Sequence, residues 1–159
     1  MKLPRIKFVV MALGLLAMAA CGGGTVKRVS EPAASIQQLS VGADGNWDVQ
    51  LRLSNFSSMP MRFDTVSLKF TVGDAEAGTL QSSPSLEIGP ESADVVSIAL
   101  KPSSASRLLV ADTLAGRRSL PYELEGSVSA TPRDRSQRNF DIKARSSLSP
   151  AAGLPGVLR

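Results

Sequence analysis

One nine-residue segment, Trp47–Asn55, alternates strictly between apolar and polar side chains. The apolar positions are Trp47, Val49, Leu51 and Leu53, and a polar residue follows each of them. Successive side chains of an extended chain point to opposite faces, so this pattern predicts a strand with one buried and one solvated face. Burial on one face is typical of antiparallel sheets, and the rest of the chain must therefore supply a layer that covers this strand.

The same alternation recurs and predicts about seven strands. They span 36–41, 47–55, 66–72, 75–80, 93–100, 120–130 (with a bulge at Gly126) and 140–145. One stretch, Ser104–Ala115, has helical spacing instead, with Ser103 or Ser104 as its N-cap and Gly116 as its end. Short strands at this spacing predict a mainly β fold, an immunoglobulin- or fibronectin III-like antiparallel β-sandwich with one short inserted helix.

The N-terminus has the features of a secretory signal peptide over residues 1–20. Three basic residues precede Phe8–Ala20, an uncharged run of thirteen residues that is too short to span a bilayer. Ala19-Ala20-Cys21, followed by three glycines, resembles the bacterial lipobox, in which the cut falls just before a lipid-modified cysteine. The alternatives are a secreted protein with an incidental cysteine and a buried core cysteine.

The lipobox resemblance implies that Cys21 is the lipidation site and that the acyl chains are the protein's contact with the membrane. Gly22 stands where an Asp would imply retention at the inner membrane, which favours the periplasmic face of the outer membrane. Residues 21–33 are rich in glycine and predict a flexible tether. Residues 34–148 form the predicted sandwich, and 149–159, with two prolines and two glycines, predict a loose C-terminal tail.

Composition narrows the function classes. The chain has no histidine and one cysteine, so it has neither an intramolecular disulfide nor a histidine base or metal ligand. Without Lys2, Arg5 and Lys7 of the signal peptide, 15 basic residues (18 minus 3) face 14 acidic ones. This near-neutral balance argues against nucleic-acid binding. We expect no cofactor, no bound metal and no small-molecule substrate.

A calcium loop is one candidate site, because Asp44, Asn46 and Asp48 imitate the first half of such a loop. Val49 and Asn55, however, stand where that loop requires a glycine and a bidentate glutamate. The sequence therefore favours a polar hairpin turn at this position.

Two further groups of residues suggest chemistry. Ser67 and Lys69 could form a nucleophile pair, but their spacing puts both on the solvated face of one strand with no oxyanion hole nearby, which argues against an enzyme. Arg133, Arg135 and Arg138 could contact phosphates or peptidoglycan. Since Asp134 lies among them, a solvated hairpin tip is the favoured interpretation.

Six segments, taken in order, resemble the late-embryogenesis-abundant (LEA) type 2 family, also called the water-stress and hypersensitive-response (WHy) domain. They are Leu51–Phe56, the Pro60 loop, Val66–Val72, Ala77–Gly78, Leu86–Ser92 and Leu120–Gly126. Asn55 matches the first Asn of the family's Asn-Pro-Asn-like motif, whereas Phe56 and Ser57 depart from it. The similarity covers about residues 36–148.

The resemblance implies a sandwich fold with one helix and a non-enzymatic role in desiccation or other stress. It carries over no catalytic residues, and Asn55 and Gly126 only as structural positions. The resulting hypothesis is a lipid-anchored stress-protective or envelope-stabilising protein. The alternative hypothesis is an adaptor lipoprotein that docks on an outer-membrane complex through a sheet edge or the Pro60 loop, with an envelope protein as its partner.

Overall fold

The structure is a computed structural model that describes residues 27–159. The predicted signal peptide, Cys21 and the first part of the tether lie outside the described residues. Residues 27–159 contain one helix, α1 (Ser104–Gly116), which follows the sixth of nine strands. The strands are β1 (Ala33–Val41), β2 (Trp47–Asn55), β3 (Met61–Val72), β4 (Ala75–Ser82), β5 (Leu86–Ile88), β6 (Ser92–Leu100), β7 (Leu120–Pro132), β8 (Arg138–Leu148) and β9 (Val157–Leu158).

Two antiparallel sheets pack face to face. The first has the strand order β6-β2-β1-β9, and the second has the order β4-β3-β7-β8 with β5 paired to β3. One continuous apolar core lies between the sheets and draws side chains from both of them. The predicted mainly β sandwich with one helix is confirmed. The strands number nine rather than about seven, because the short β5 and β9 were not predicted as strands.

Strand β2 has the predicted bounds and is central in its sheet, between β1 and β6. All four of its apolar side chains are buried, and Trp47 is 2% exposed. The indole meets the Phe70 ring edge to face, with 6.3 Å between ring centroids. Trp47 is therefore a core residue, which joins the two sheets.

Bulges explain two strand starts that the sequence pattern missed. The register shifts in β1 between Ile36 and Gln38, and in β3 between Phe63 and Thr65. One extra residue moves the following side chains to the opposite face, so the period-two pattern breaks at each bulge. Strand β3 consequently begins at Met61, directly after Pro60, and not at Val66.

The predicted bulge at Gly126 is wrong. Gly126 pairs with Leu68 on one side and with Ile142 on the other, and the register shifts at neither pair. Its φ is +154°, and a Cβ at this position would lie 2.2 Å from the carbonyl oxygen of Ser67. Glycine is needed here because the backbone of β3 approaches closely.

A hydroxyl group connects the two sheets at the β1 bulge. The backbone N–H of Ile36 donates a hydrogen bond to the Tyr122 hydroxyl across the core, at 3.0 Å. Both residues are buried, so this oxygen satisfies an amide that solvent does not reach.

We predict that Tyr122→Phe lowers the free energy of unfolding by about 1–3 kcal/mol, because it leaves the buried Ile36 amide without an acceptor. Urea denaturation and amide hydrogen exchange measure the effect. Exchange at Ile36 should accelerate, whereas exchange at the adjoining β2 amides should follow only the global loss. An Ile36 amide protected to the wild-type level would contradict the prediction.

Helix α1 begins and ends close to the predicted limits. Ser103 is the N-cap, and its side chain accepts a hydrogen bond from the Ser106 N–H. The left-handed residue after the helix is Arg117 rather than the predicted Gly116. Within residues 27–159, no helix is long and apolar enough to cross a bilayer.

The C-terminal segment 149–159 is not the loose tail that its composition predicts. Val157 and Leu158 form β9, which pairs with Ser40 and Leu39 of β1. Leu158 is fully buried in the core. The buried Leu158 side chain and backbone hydrogen bonds, such as that from the Val41 N–H to the Gly156 carbonyl at 2.9 Å, hold this segment on the domain.

Candidate functional site

The end of the sandwich where the N-terminal segment meets the domain brings together four irregular segments. They are residues 27–32, the β2–β3 loop 56–60, the β5–β6 turn 89–91 and the β7–β8 turn 133–137. We call this surface the linker end. The opposite end, which we call the helix end, contains helix α1, the β1–β2 turn and the C-terminal segment. Helix α1 lies there because it connects the last residue of β6, Leu100, to the first residue of β7, Leu120.

Asn55 is the centre of the linker end. It is fully buried at the last position of β2. Its side-chain NH2 group lies within hydrogen-bond distance of the carbonyl oxygens of Met59 (2.9 Å), Ile88 (3.1 Å) and Gly89 (2.9 Å), and these three acceptors share its two N–H donors. Its side-chain oxygen accepts from the Ser57 N–H at 2.9 Å. One side chain therefore fixes the β2–β3 loop against the β5–β6 turn.

The N-terminal segment is docked on the same loop. The Arg28 N–H donates to the Ser58 hydroxyl at 2.8 Å, and the Ser58 N–H donates to the Arg28 carbonyl at 3.0 Å. The Ser30 N–H donates to the buried Ser57 hydroxyl at 2.9 Å. The prediction of a flexible tether over 21–33 is therefore wrong from Arg28 onward, because the segment satisfies its backbone groups on the domain.

The arginines of the β7–β8 turn do not converge on one ligand. Arg133 pairs with Glu87 at 2.7 Å, and Arg135 donates to the Lys27 carbonyl at 3.4 Å. Arg138, the first residue of β8, lies over the Phe140 ring, 5.5 Å from the ring centroid. The turn itself is exposed, which confirms the interpretation as a solvated hairpin tip.

A partly buried carboxylate occupies the β3 bulge. Asp64 accepts hydrogen bonds from Arg62 (2.7 Å), Thr131 (2.6 Å) and Gln137 (3.2 Å). Burial raises the pKa of Asp64, but the hydrogen bonds from Thr131, Arg62 and Gln137 outweigh it and hold the pKa below the ordinary value of 3.8. Asp64 is thus a structural anion that joins β3 to β7 and to the turn after it.

We predict that Asp64→Asn lowers the free energy of unfolding at pH 7 by about 1–2 kcal/mol, since charge-assisted hydrogen bonds are lost. Because the pKa of Asp64 is lowered in the folded state, its carboxylate stabilises the protein above pH 3.8, and this stabilisation is lost as the pH falls from 3.8 through the folded-state pKa. The gap between variant and wild type should therefore close in acid. Urea titrations from pH 7 to below pH 3.8 measure the difference in the free energy of unfolding between the two proteins. A difference that does not depend on pH would contradict the mechanism.

The calcium-like residues form a turn. Asp44 accepts from the Asn46 backbone N–H at 3.0 Å and from its side-chain amide at 2.6 Å. The backbone hydrogen bond from Asn46 lowers the pKa of Asp44, and Asp48 lies in the ladder opposite Ser40. The polar hairpin turn is confirmed. Residues 27–159 hold no group of three or more His, Cys, Asp or Glu that could bind a metal ion.

Ser67 and Lys69 lie on the exposed face of β3, as predicted. Lys69 pairs with Glu76 of the neighbouring strand at 3.1 Å, where both side chains are more than half exposed. A solvated ammonium with a carboxylate partner has no means of activating the Ser67 hydroxyl.

Sequence reasoning missed a groove at the helix end, since the tail that forms it was predicted to be loose. The groove has a volume of about 680 Å³. Its walls are residues 149–156 together with Leu114 and Arg117. Leu154, on its rim, is 44% exposed.

These features define a two-sheet antiparallel sandwich with one inserted helix and a hydrogen-bonded linker end. No family model and no curated protein matches the chain. The fold is similar to that of an Arabidopsis thaliana protein solved in solution, with 14% identity, a TM-score of 0.52 and coverage of 83% of this chain and 89% of that one. At this identity, the similarity shows the fold alone.

Two further structures are similar at lower scores. A solution structure described as a candidate late embryogenesis abundant (LEA) protein has 12% identity and a TM-score of 0.48, and covers 93% of this chain and 88% of that one. A crystal structure from Archaeoglobus fulgidus has 12% identity and a TM-score of 0.42, and covers 78% of this chain and 98% of that one.

Proposed function

We propose that this chain is a lipid-anchored, non-enzymatic protein of the LEA type 2 kind. It acts at the periplasmic face of the bacterial outer membrane and protects envelope components under stress such as desiccation. One observation carries the proposal: Asn55, the residue matched to the family's motif, is fully buried and holds three carbonyl groups and one amide. Asn55 thus has the structural role that the family resemblance implies for this position.

The anchor is the part of the proposal that rests on the lipobox. A diacylglyceryl group and an N-acyl chain on Cys21 would bury many methylene groups, each worth about 0.8 kcal/mol, and two or more chains suffice for stable attachment.

We predict that Cys21→Ser abolishes the anchor. The wild-type protein, produced in a bacterium with lipoprotein processing, should enter the membrane fraction and carry acyl mass on Cys21. The variant should remain unprocessed or lack that mass. Membrane fractionation and mass spectrometry measure both properties. A variant that partitions and processes like the wild type would overturn the anchor.

The stress role is tested in a strain that lacks the gene. Survival after drying should fall in that strain and recover when the wild-type gene is restored. The Cys21→Ser gene should restore survival poorly, because the variant no longer resides at the membrane. Equal survival of all three strains would contradict the protective role.

The adaptor function is the second candidate. The groove at the helix end favours it, as does β8, an eleven-residue strand that lies at the edge of its sheet within residues 27–159. Crosslinking in intact cells separates the two candidates. One stoichiometric envelope partner, lost when Leu154 is changed to Asp in the groove, would favour the adaptor over the protective protein.

A further inference from the structure

We propose that the linker end is the surface that faces the membrane, with Phe56 at the bilayer interface and the helix end pointing away. This inference rests on the proposed anchor at Cys21. It adds what the anchor alone does not supply, which is the orientation of the domain and the residue that contacts lipid.

The docked N-terminal segment shortens the tether. Hydrogen bonds to Ser57 and Ser58 fix the chain from Arg28 onward. Seven residue steps separate Arg28 from Cys21. Fully extended, they reach about 25 Å.

The sandwich is longer than this tether. Strand β7 runs from the helix end to the linker end and has 13 residues. At 3.3 Å per residue it is about 40 Å long. A tether that reaches at most about 25 Å excludes the inverted orientation, because Arg28 would then lie about 40 Å from the lipid while the helix end touched it.

The exposed side chains of the linker end suit a lipid interface. Phe56 is 52% exposed in the β2–β3 loop, and an aromatic ring at the headgroup level is a common interfacial anchor. Lys27 pairs with Asp134 and Arg133 pairs with Glu87. The Arg28 and Arg135 side chains donate instead to the backbone carbonyls of Phe56 (3.5 Å) and Lys27 (3.4 Å). Phe56 supplies an apolar contact, which should persist in zwitterionic vesicles at high salt.

The test places a tryptophan at each end of the lipidated full-length protein. Phe56→Trp and Leu154→Trp are reconstituted separately into phosphatidylcholine vesicles whose acyl chains are brominated, and bromine quenches nearby indoles. Trp47 is 2% exposed and gives the same background in both variants. We expect Phe56→Trp to lose most of its added fluorescence and Leu154→Trp to keep it. The second variant controls for the tryptophan's own affinity for lipid.

A longer tether supplies the second control. A long Gly/Ser insertion after Gly24 should leave Phe56→Trp bound to vesicles but remove most of its quenching. Flotation is measured on every sample. Protein that fails to float overturns the anchor and the orientation together. Floating protein in which Phe56→Trp is unquenched, or Leu154→Trp is quenched equally, overturns the orientation and leaves the anchor standing.

Discussion

Asn55→Ala is expected to lower the free energy of unfolding by about 3–6 kcal/mol, which is a large part of the stability of a domain this size. The substitution leaves the Ser57 amide and the carbonyls of Met59, Ile88 and Gly89 without their partner. Each buried polar group left unpaired costs about 1–3 kcal/mol, and water entering the gap recovers part of the sum. Urea denaturation followed by circular dichroism measures the loss.

Two matched variants isolate the hydrogen bonds of Asn55. Asn55→Asp keeps the shape but turns a second oxygen toward three carbonyl oxygens, so it should destabilise at least as much as alanine. Asn139→Ala removes the same side chain from an exposed position and should change stability by no more than about 0.5 kcal/mol. An Asn55→Ala loss below about 1 kcal/mol would contradict the role of Asn55 as the centre of the linker end.

The effect should be local before it is global. Asn55 holds the Ser57 N–H, and the Ser57 hydroxyl accepts a hydrogen bond from the Ser30 N–H of the docked segment. Hydrogen exchange in the Asn55→Ala protein should therefore accelerate first at Arg28 and Ser30. Release of this segment would lengthen the tether, so the same variant should weaken the orientation of the domain on a membrane.

The regular elements could be predicted because their patterns are local. Strand β2 shows its period of two within its own nine residues, and α1 shows its spacing within thirteen residues and its cap at the residue before them. The bulges at Gln37 and Asp64 could not be predicted in this way. A one-residue shift leaves both halves of a strand apolar on alternate positions, but the two halves no longer share a phase.

The site was less accessible to sequence reasoning than the fold. Asn55 was identified through the family resemblance, as a structural position, but its partners Ile88 and Gly89 lie more than thirty residues away. The docking of Arg28 and the pairing of β9 with β1 are also tertiary contacts. Composition predicted flexible segments at both termini of the domain. Glycine and proline content indicates local backbone freedom, but it does not indicate which distant residues a buried leucine such as Leu158 contacts.

Trp47→Ala is expected to lower the free energy of unfolding by about 3–5 kcal/mol, because a truncated aromatic leaves a cavity that a packed core fills only partly. Trp47 is 2% exposed, and its ring contacts Phe70, whose own ring contacts Tyr122. Removal of the indole therefore interrupts a row of three contacting aromatic rings that links the two sheets. Circular dichroism in urea is the measurement, since the variant has no tryptophan to report fluorescence.

Trp47→Phe separates ring contact from volume. It keeps an aromatic ring opposite Phe70 and should lose clearly less stability than alanine. Leu108→Ala removes an apolar side chain that is 73% exposed on α1 and should change stability by no more than about 0.5 kcal/mol. If Trp47→Ala lowered the free energy of unfolding as little as Leu108→Ala does, the buried apolar face of β2 would not be what holds the two sheets together. Burial on one face of that strand would then have to be explained by something other than the core.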